Sequence, residues 1–191
     1  ANKIQRVKII VLSPILIIRY GIHMIFLLSC RKKKIILKEL ETELLNFKMI
    51  FFSQPRYRRI NLLLGFLWAV HQNPFFRTLF YCRIGSSRSY ICSLIKKDNS
   101  TLMMDCANMG NLIMHHPFAT IINAEKIGNN LTIRNNTTIG NINDNDKLRP
   151  CIRDNVVIGA NVTIIGKITI GNNVTIGAGA LVNKDIPDNC I

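Results

Sequence analysis

The chain has 191 residues and a formal net charge of +14, enough length for one ordinary domain or two small ones with a sizeable core. Residues 1–100 hold 18 Lys and Arg against four Asp and Glu, whereas residues 101–191 hold seven of each, so a partner of opposite sign would be met by the first region. The six cysteines (Cys30, Cys82, Cys92, Cys106, Cys151, Cys190) have no C-x-x-C or other metal spacing, which reads as reduced thiols in a cytoplasmic protein; no metal is expected.

The first apolar run, "KIIVLSPILIIRYGIHMIFLLSC" from Lys8 to Cys30, has the length of a membrane span. Arg19 in its centre makes a span costly, and Pro14, Gly21 and His23 interrupt it. Lys3, Arg6 and Lys8 lie in or before it, and "RKKK" (Arg31–Lys34) follows. Three readings stay open: a helix on an anionic membrane surface through residues 1–34, a helix buried in an oligomer core, or one irregular span.

"ILKELETELLNFKMIFF" and "YRRINLLLGFLWAVHQ" follow with helical spacing, the first with Leu37, Leu40, Leu44 and Phe47 on one face and Glu39, Glu41 and Glu43 at polar positions. "NPFFRTLFYCRIG" restarts a helix at the Asn73 cap and Pro74, Gly85 ends it, and "SSRS" reads as a breaker. His23 and His71, lone histidines on apolar helices, read as packing or surface residues. Phe51, Phe52, Phe75, Phe76 and Phe80 fall at helical core spacings rather than as a stacking platform, so the basic charge does not read as a nucleic-acid site.

From residue 127 a six-residue register takes over: "IGNNLT IRNNTT IGN", a break, then "IRDNVV IGANVT IIGKIT IGNNVT IGAGAL V". Its lead residues are Ile127, Ile133, Ile139, Ile152, Ile158, Ile164, Ile170, Ile176 and Val182. Neither a helix (3.6) nor a half-buried strand (2) gives a period of six, but a parallel β-helix does. Each hexapeptide makes a short strand and a corner. The lead residue faces inward, a small residue (Thr137, Val162, Val174, Ala180) packs four positions later, and Asn129-Asn130, Asn135-Asn136 and Asn172-Asn173 supply turns. Counting back by sixes reaches Ile121, His115, Met109 and Met103, and a histidine in an aliphatic column predicts a register shift there. Residues 140–151, with Asp144, Asp146, Lys147 and Arg149, read as a loop thrown out from a corner.

These residues resemble the hexapeptide-repeat, left-handed β-helix acyltransferases, and within them the serine acetyltransferases and their relatives that acetylate surface-polysaccharide sugars. The likeness is strongest over residues 100–191, in "TIGNINDNDKLRPCIRDNVVIGANVTIIGKITIGNNVTIGAGALV"; "LFYCRIG" is similar to a helix-ending stretch of the same enzymes. The fold class implied is α+β: a basic helical region over residues 1–100, then a left-handed parallel β-helix over residues 101–191 with its loop at 140–151. The resemblance implies an acetyl-CoA-dependent O-acetyltransferase acting on a hydroxyl of L-serine or of a surface-polysaccharide sugar, as a cytoplasmic homotrimer with its site between prisms.

In that family a histidine four positions before an aliphatic strand removes the acceptor's proton, and "HPFATII" matches from His116. His115 is the alternate base. The orienting carboxylate belongs about fifteen positions earlier, where Thr101 stands; Asp105 is the nearest candidate. Arg149 replaces a histidine before the loop-closing Pro150 and becomes the candidate acceptor-binding residue. The coenzyme's arm would lie along Gly159, Ala160, Gly177 and Ala178, whose other reading is ordinary tight corners. The alternative from another class is a non-catalytic scaffold at the membrane surface.

Overall fold

Five helices come first: α1 (Asn2–Ser29), α2 (Lys33–Asn46), α3 (Arg58–Gln72), α4 (Pro74–Ile84) and α5 (Ser86–Ile95). The computed structural model describes residues 2–46, 58–98, 100–106, 108–143 and 145–191. The helices lie in one unit, residues 1–99, and the repeats in a second, residues 100–191. Phe47, Phe51, Phe52 and Asp144, all singled out from the sequence, lie outside the described residues.

In α1, Leu16, Tyr20, His23 and Leu27 form a buried stripe spaced four, three and four apart, the period that puts side chains on one helix face. At Tyr20 the backbone leaves helical geometry (φ −114, ψ 17), and this kink joins two helical segments within α1. Asn73 caps α4 as its sequence predicts: its side chain accepts from the backbone N–H of Phe75 (3.0 Å) and Phe76 (3.1 Å), with Pro74 in the first turn. Gly85 ends α4 at φ +86, a backbone region open to glycine. The "SSRS" stretch does not break the chain there. It opens α5, whose first turn Ser89 closes by donating its N–H to the Gly85 carbonyl. Phe66, Phe76 and Phe80 meet edge-on at centroid distances of 6.2 and 5.0 Å and fill the centre.

The helical period misplaces two glutamates. Glu39 and Glu43, read as polar surface positions, are 2% and 7% exposed. Glu39 is buried against Arg83 of α4 (Oε1 to Nη2, 2.5 Å), and Glu43 accepts from the Asn73 side chain at 3.2 Å. The partners lie 44 and 30 residues away, beyond any local pattern. His23 and His71 are packing residues: His23 Nε2 meets the Tyr81 hydroxyl at 3.1 Å, and His71 Nδ1 meets the Tyr20 hydroxyl at 2.8 Å.

The repeats coil into a three-sided prism of parallel strands. Strands β1 (Met103–Asp105), β4 (Ile121–Asn123), β7 (Thr138–Gly140), β10 (Thr163–Ile165) and β13 (Leu181–Val182) stack as the first sheet. Strands β2 (Asn108–Met109), β5 (Lys126–Ile127), β8 (Cys151–Ile152) and β11 (Thr169–Ile170) form the second. Strands β3 (Leu112–His115), β6 (Leu131–Arg134), β9 (Val157–Ile158) and β12 (Thr175–Ile176) form the third. In register, Ile139 pairs Ile164 and Ile164 pairs Val182; Ile127 pairs Ile152 and Ile152 pairs Ile170; Ile133 pairs Ile158 and Ile158 pairs Ile176. Each of these nine lead residues is buried, a single aliphatic column shared by all coils.

Below Ile127 the register shifts. The inward residues are Ile122, Met114 and Met109, with Met104 partly buried, while Ile121 and Met103 are exposed and His115 faces outward, half-buried. The interval from Met114 to Ile122 is eight residues rather than six, so two extra residues are expelled at the corner that begins with His116. The physical reason is the one that raised the doubt: an imidazole has no partner inside an aliphatic column.

The second corner is closed by an asparagine ladder. Asn130, Asn155, Asn173 and Asn189 hold φ between +55 and +61, a region Asn tolerates better than other side chains. Their amides join coil to coil, Asn111 to Asn130 (3.1 Å), Asn130 to Asn155 (2.8 Å), Asn155 to Asn173 (3.0 Å) and Asn173 to Asn189 (2.9 Å).

Candidate active site

The third corner, where each coil turns from the third sheet into the first, gathers most of the predicted site residues. His116 follows β3, Asn135 and Asn136 follow β6, Gly159 and Ala160 follow β9, and Gly177 and Ala178 follow β12. Cross-coil hydrogen bonds tie the column together: Asn136 N–H to the Phe118 carbonyl (2.9 Å), Asn161 N–H to the Asn135 carbonyl (3.0 Å), and Gly179 N–H to the Ala160 carbonyl (2.9 Å). With coils about 4.8 Å apart, the corner runs roughly 14 Å from His116 to Gly177.

His116 is exposed and sits at φ +51, and Ala119 three residues on sits at φ +49. Apart from these two, every described positive-φ residue other than glycine is an asparagine. Such a backbone costs about 1–2 kcal/mol per residue, and its concentration on one four-residue turn points to a functional demand. The turn is held by Phe118 N–H to the His116 carbonyl (2.7 Å) and by Ala119 N–H to the Thr101 hydroxyl (2.9 Å). Thr101 thus supports the backbone beside His116. Its spacing of fifteen was visible in the sequence; its bond to a main-chain N–H was not.

His115 lies beside Arg134 in the β3–β6 register. Burial, then the charges of Arg134 and His116, hold its imidazole below the usual histidine range.

Asp105 and Arg149 come together at a different corner, between the first and second sheets. Arg149 Nη2 lies 3.2 Å from Asp105 Oδ2 and 2.6 Å from Asp146 Oδ1. Its guanidinium, 18% exposed, therefore latches the loop to the first coil. The expected pairing of Asp105 with His116 does not form within the chain: β1 separates the two corners, and among the described residues no carboxylate hydrogen-bonds His115 or His116. Asp146 is the partner the sequence did not single out for Arg149. A three-residue 3-10 turn, Asp146–Leu148, brings it there.

The four small residues divide. A Cβ on Gly159 would lie 2.6 Å from the Ala178 nitrogen, so its lack of a side chain lets coils three and four stack. A Cβ on Gly177 would meet nothing within 4 Å. Gly177 and Ala178 are exposed, and Gly159 and Ala160 are half-buried. The open part of the strip is the upper pair.

The family described as bacterial transferase hexapeptide (six repeats) matches residues 152–184. No curated protein matches the chain by sequence. Among solved structures, the serine acetyltransferase of Neisseria gonorrhoeae superposes with a TM-score of 0.57 at 26% identity, over 88% of this chain and 65% of that one. The same enzyme in complex with serine gives 0.56 at 24%, over 90% and 70%. Serine acetyltransferase isoform 3 of Entamoeba histolytica, in complex with cysteine, gives 0.51 at 18%, over 83% and 56%. The chain thus spans 65% of the gonococcal enzyme and 56% of the amoebal one.

Helices followed by about four turns of parallel coil give the left-handed β-helix architecture of these enzymes. Residues 152–184 thus carry the hexapeptide-repeat signature, and the fold is similar to that of serine acetyltransferases.

Proposed function

We propose that this protein is an acetyl-CoA-dependent O-acetyltransferase with His116 as its base, working as a trimer with the third corner facing a neighbouring prism. The observation that carries the reading is the shared corner. His116, Gly159, Ala160, Gly177 and Ala178 come from three separate stretches of sequence yet stack on one strip, with main-chain groups and small residues along its length. An extended thioester arm lying on that strip would bring its acyl end to the imidazole.

A neutral imidazole can accept the acceptor hydroxyl's proton as its oxygen attacks the thioester carbonyl. The C–O bond forms, the C–S bond breaks, and the proton held by His116 passes to the departing thiolate, so no acyl-enzyme is needed. His116 is suited to this because its turn projects it out of the column. His115, held against Arg134 and lowered in basicity by burial, is the weaker candidate.

Arg149 bears on the acceptor. Its Nε and Nη2 are engaged by Asp105 and Asp146, and these two carboxylates compete with an acceptor's carboxylate for the guanidinium. That favours a neutral hydroxyl, such as one on a sugar, over L-serine.

The test is a coupled thiol-release assay with sugar and amino-acid acceptors. His116→Ala is expected to lower kcat by 10²- to 10⁴-fold with the assembly size unchanged, and His115→Ala to lower it far less. Full activity in His116→Ala, or no thiol release with any acceptor, overturns the reading.

A further inference from the structure

Helix α1 is apolar on two opposite sides. Its inner stripe, Leu16, Tyr20, His23 and Leu27, is 0–5% exposed. At about 100° per residue, Ile15, Ile18, Ile25 and Leu28 fall on the opposite side, and they are 60%, 85%, 62% and 50% exposed. The core explains the first stripe, and nothing among the described residues of the helical unit covers the second. Leu28 also borders a groove of about 220 Å³, lined by Leu27, Leu28, Lys33, Leu37, Leu62 and Leu63, which continues the apolar surface onto α2 and α3.

The surrounding charge has one sign. Residues 1–34 carry eight Lys and Arg and no Asp or Glu. Arg31 and Lys34 are exposed just past the end of α1, and Lys33 stands at the groove. Arg19 lies flat, its guanidinium carbon 5.7 Å from the Tyr20 ring centroid, beside the outer stripe rather than on it.

By composition and length Leu12–Ser29 could cross a bilayer, but its inner side is committed. The Tyr20 hydroxyl bonds His71 of α3 and His23 bonds Tyr81 of α4, and crossing would tear both from the core into hydrocarbon. A helix fixed by one side, apolar on the other and rimmed by cations matches a bilayer surface of anionic lipid.

We propose that the outer face of α1 docks the protein on an anionic membrane leaflet. Ile15, Ile18, Ile25 and Leu28 insert among the acyl chains, and Arg31, Lys33 and Lys34 meet the headgroups. The helix lies in the interface plane and does not span. This contact is independent of the chemistry at His116.

The experiment is co-sedimentation of the full chain with phosphatidylcholine vesicles, with and without phosphatidylglycerol. The wild type is expected to bind the anionic vesicles and to release as salt is raised. Ile18→Glu with Ile25→Glu is expected to weaken partitioning about 100-fold with an unchanged circular dichroism spectrum. Arg31→Gln with Lys34→Gln leaves the apolar face intact and should weaken it roughly 30-fold at low salt. Equal binding to neutral and anionic vesicles, or variants that bind like the wild type, overturns the proposal. So does resistance of membrane-bound protein to alkaline carbonate, which would mark a span. A smaller assembly in the Ile18→Glu, Ile25→Glu variant, with no vesicle binding by the wild type, would overturn it in favour of a second copy on this face.

Discussion

Glu43 carries the side-chain lesson of the helical unit. Burial is the main force on it and pushes its carboxyl up to about 7; the Asn73 amide opposes the rise, and the Glu39 charge adds to it. A carboxyl raised from 4.5 contributes stability that is fully present below about pH 4.5 and is lost as pH rises past about 7. Glu43→Gln keeps an acceptor for Asn73 without the ionisation. Chemical denaturation at pH 5 and pH 8 should show the wild type losing about 3 kcal/mol relative to Glu43→Gln between them; an equal loss in both proteins would refute the assignment. His23 works in the opposite sense. Burial, then Arg77, lowers its imidazole to about 4, so its neutral form in the folded state becomes a liability as pH drops below about 6.5. Both groups occupy helical positions that local spacing scores as surface or filler, because what buries them is the meeting of α1, α2 and α4.

In the coils, the governing quantity is the spacing between successive turns, about 4.8 Å, which leaves no room for a side chain where one corner nests under the next. Gly159→Ala would place its Cβ 2.6 Å from the backbone nitrogen of Ala178, so coil four must move, at a cost of about 1–3 kcal/mol. Gly177→Ala meets open space and should stay within about 0.5 kcal/mol of the wild type. Urea midpoints for the two variants measure the contrast, and similar midpoints would show that the corner is softer than its stacking implies. The hexapeptide pattern marks both positions alike as Gly after Ile. The difference arises because Gly159 lies beneath a further corner of the same kind.

For the assembled protein, the proposed chemistry needs more than one prism. Among the described residues of one chain the exposed His116 has no carboxylate partner, and Gly177 and Ala178 on the same strip are exposed. In the proposed trimer, another subunit supplies the enclosure that excludes water from a reacting thioester. Activity per chain should therefore fall on dilution in parallel with assembly mass measured by light scattering. Constant specific activity down to concentrations where only single chains remain would place the complete site in one prism. The charge split follows the two units: cations concentrate in the helical unit, and the prism is balanced.

A strict period of six was enough to identify the prism, its interior column and its asparagine corners, because a stacked coil repeats one local environment and each repeat records it in the same residue types. The Asn73 cap and the Gly85 stop were legible for a similar reason: each satisfies backbone groups a few residues away. The sequence also singled out His116, Arg149 and the small residues after the lead aliphatics. The partners of these residues came only with folding. Arg149 meets Asp105 from 44 residues away, Thr101 holds the turn beside His116, and Glu39 is buried on Arg83. The expulsion of two residues between Met114 and Ile122, which turns His115 outward, was likewise settled in three dimensions. Pairings of this kind depend on which surfaces meet when distant segments pack, and no window of neighbouring residues contains that information.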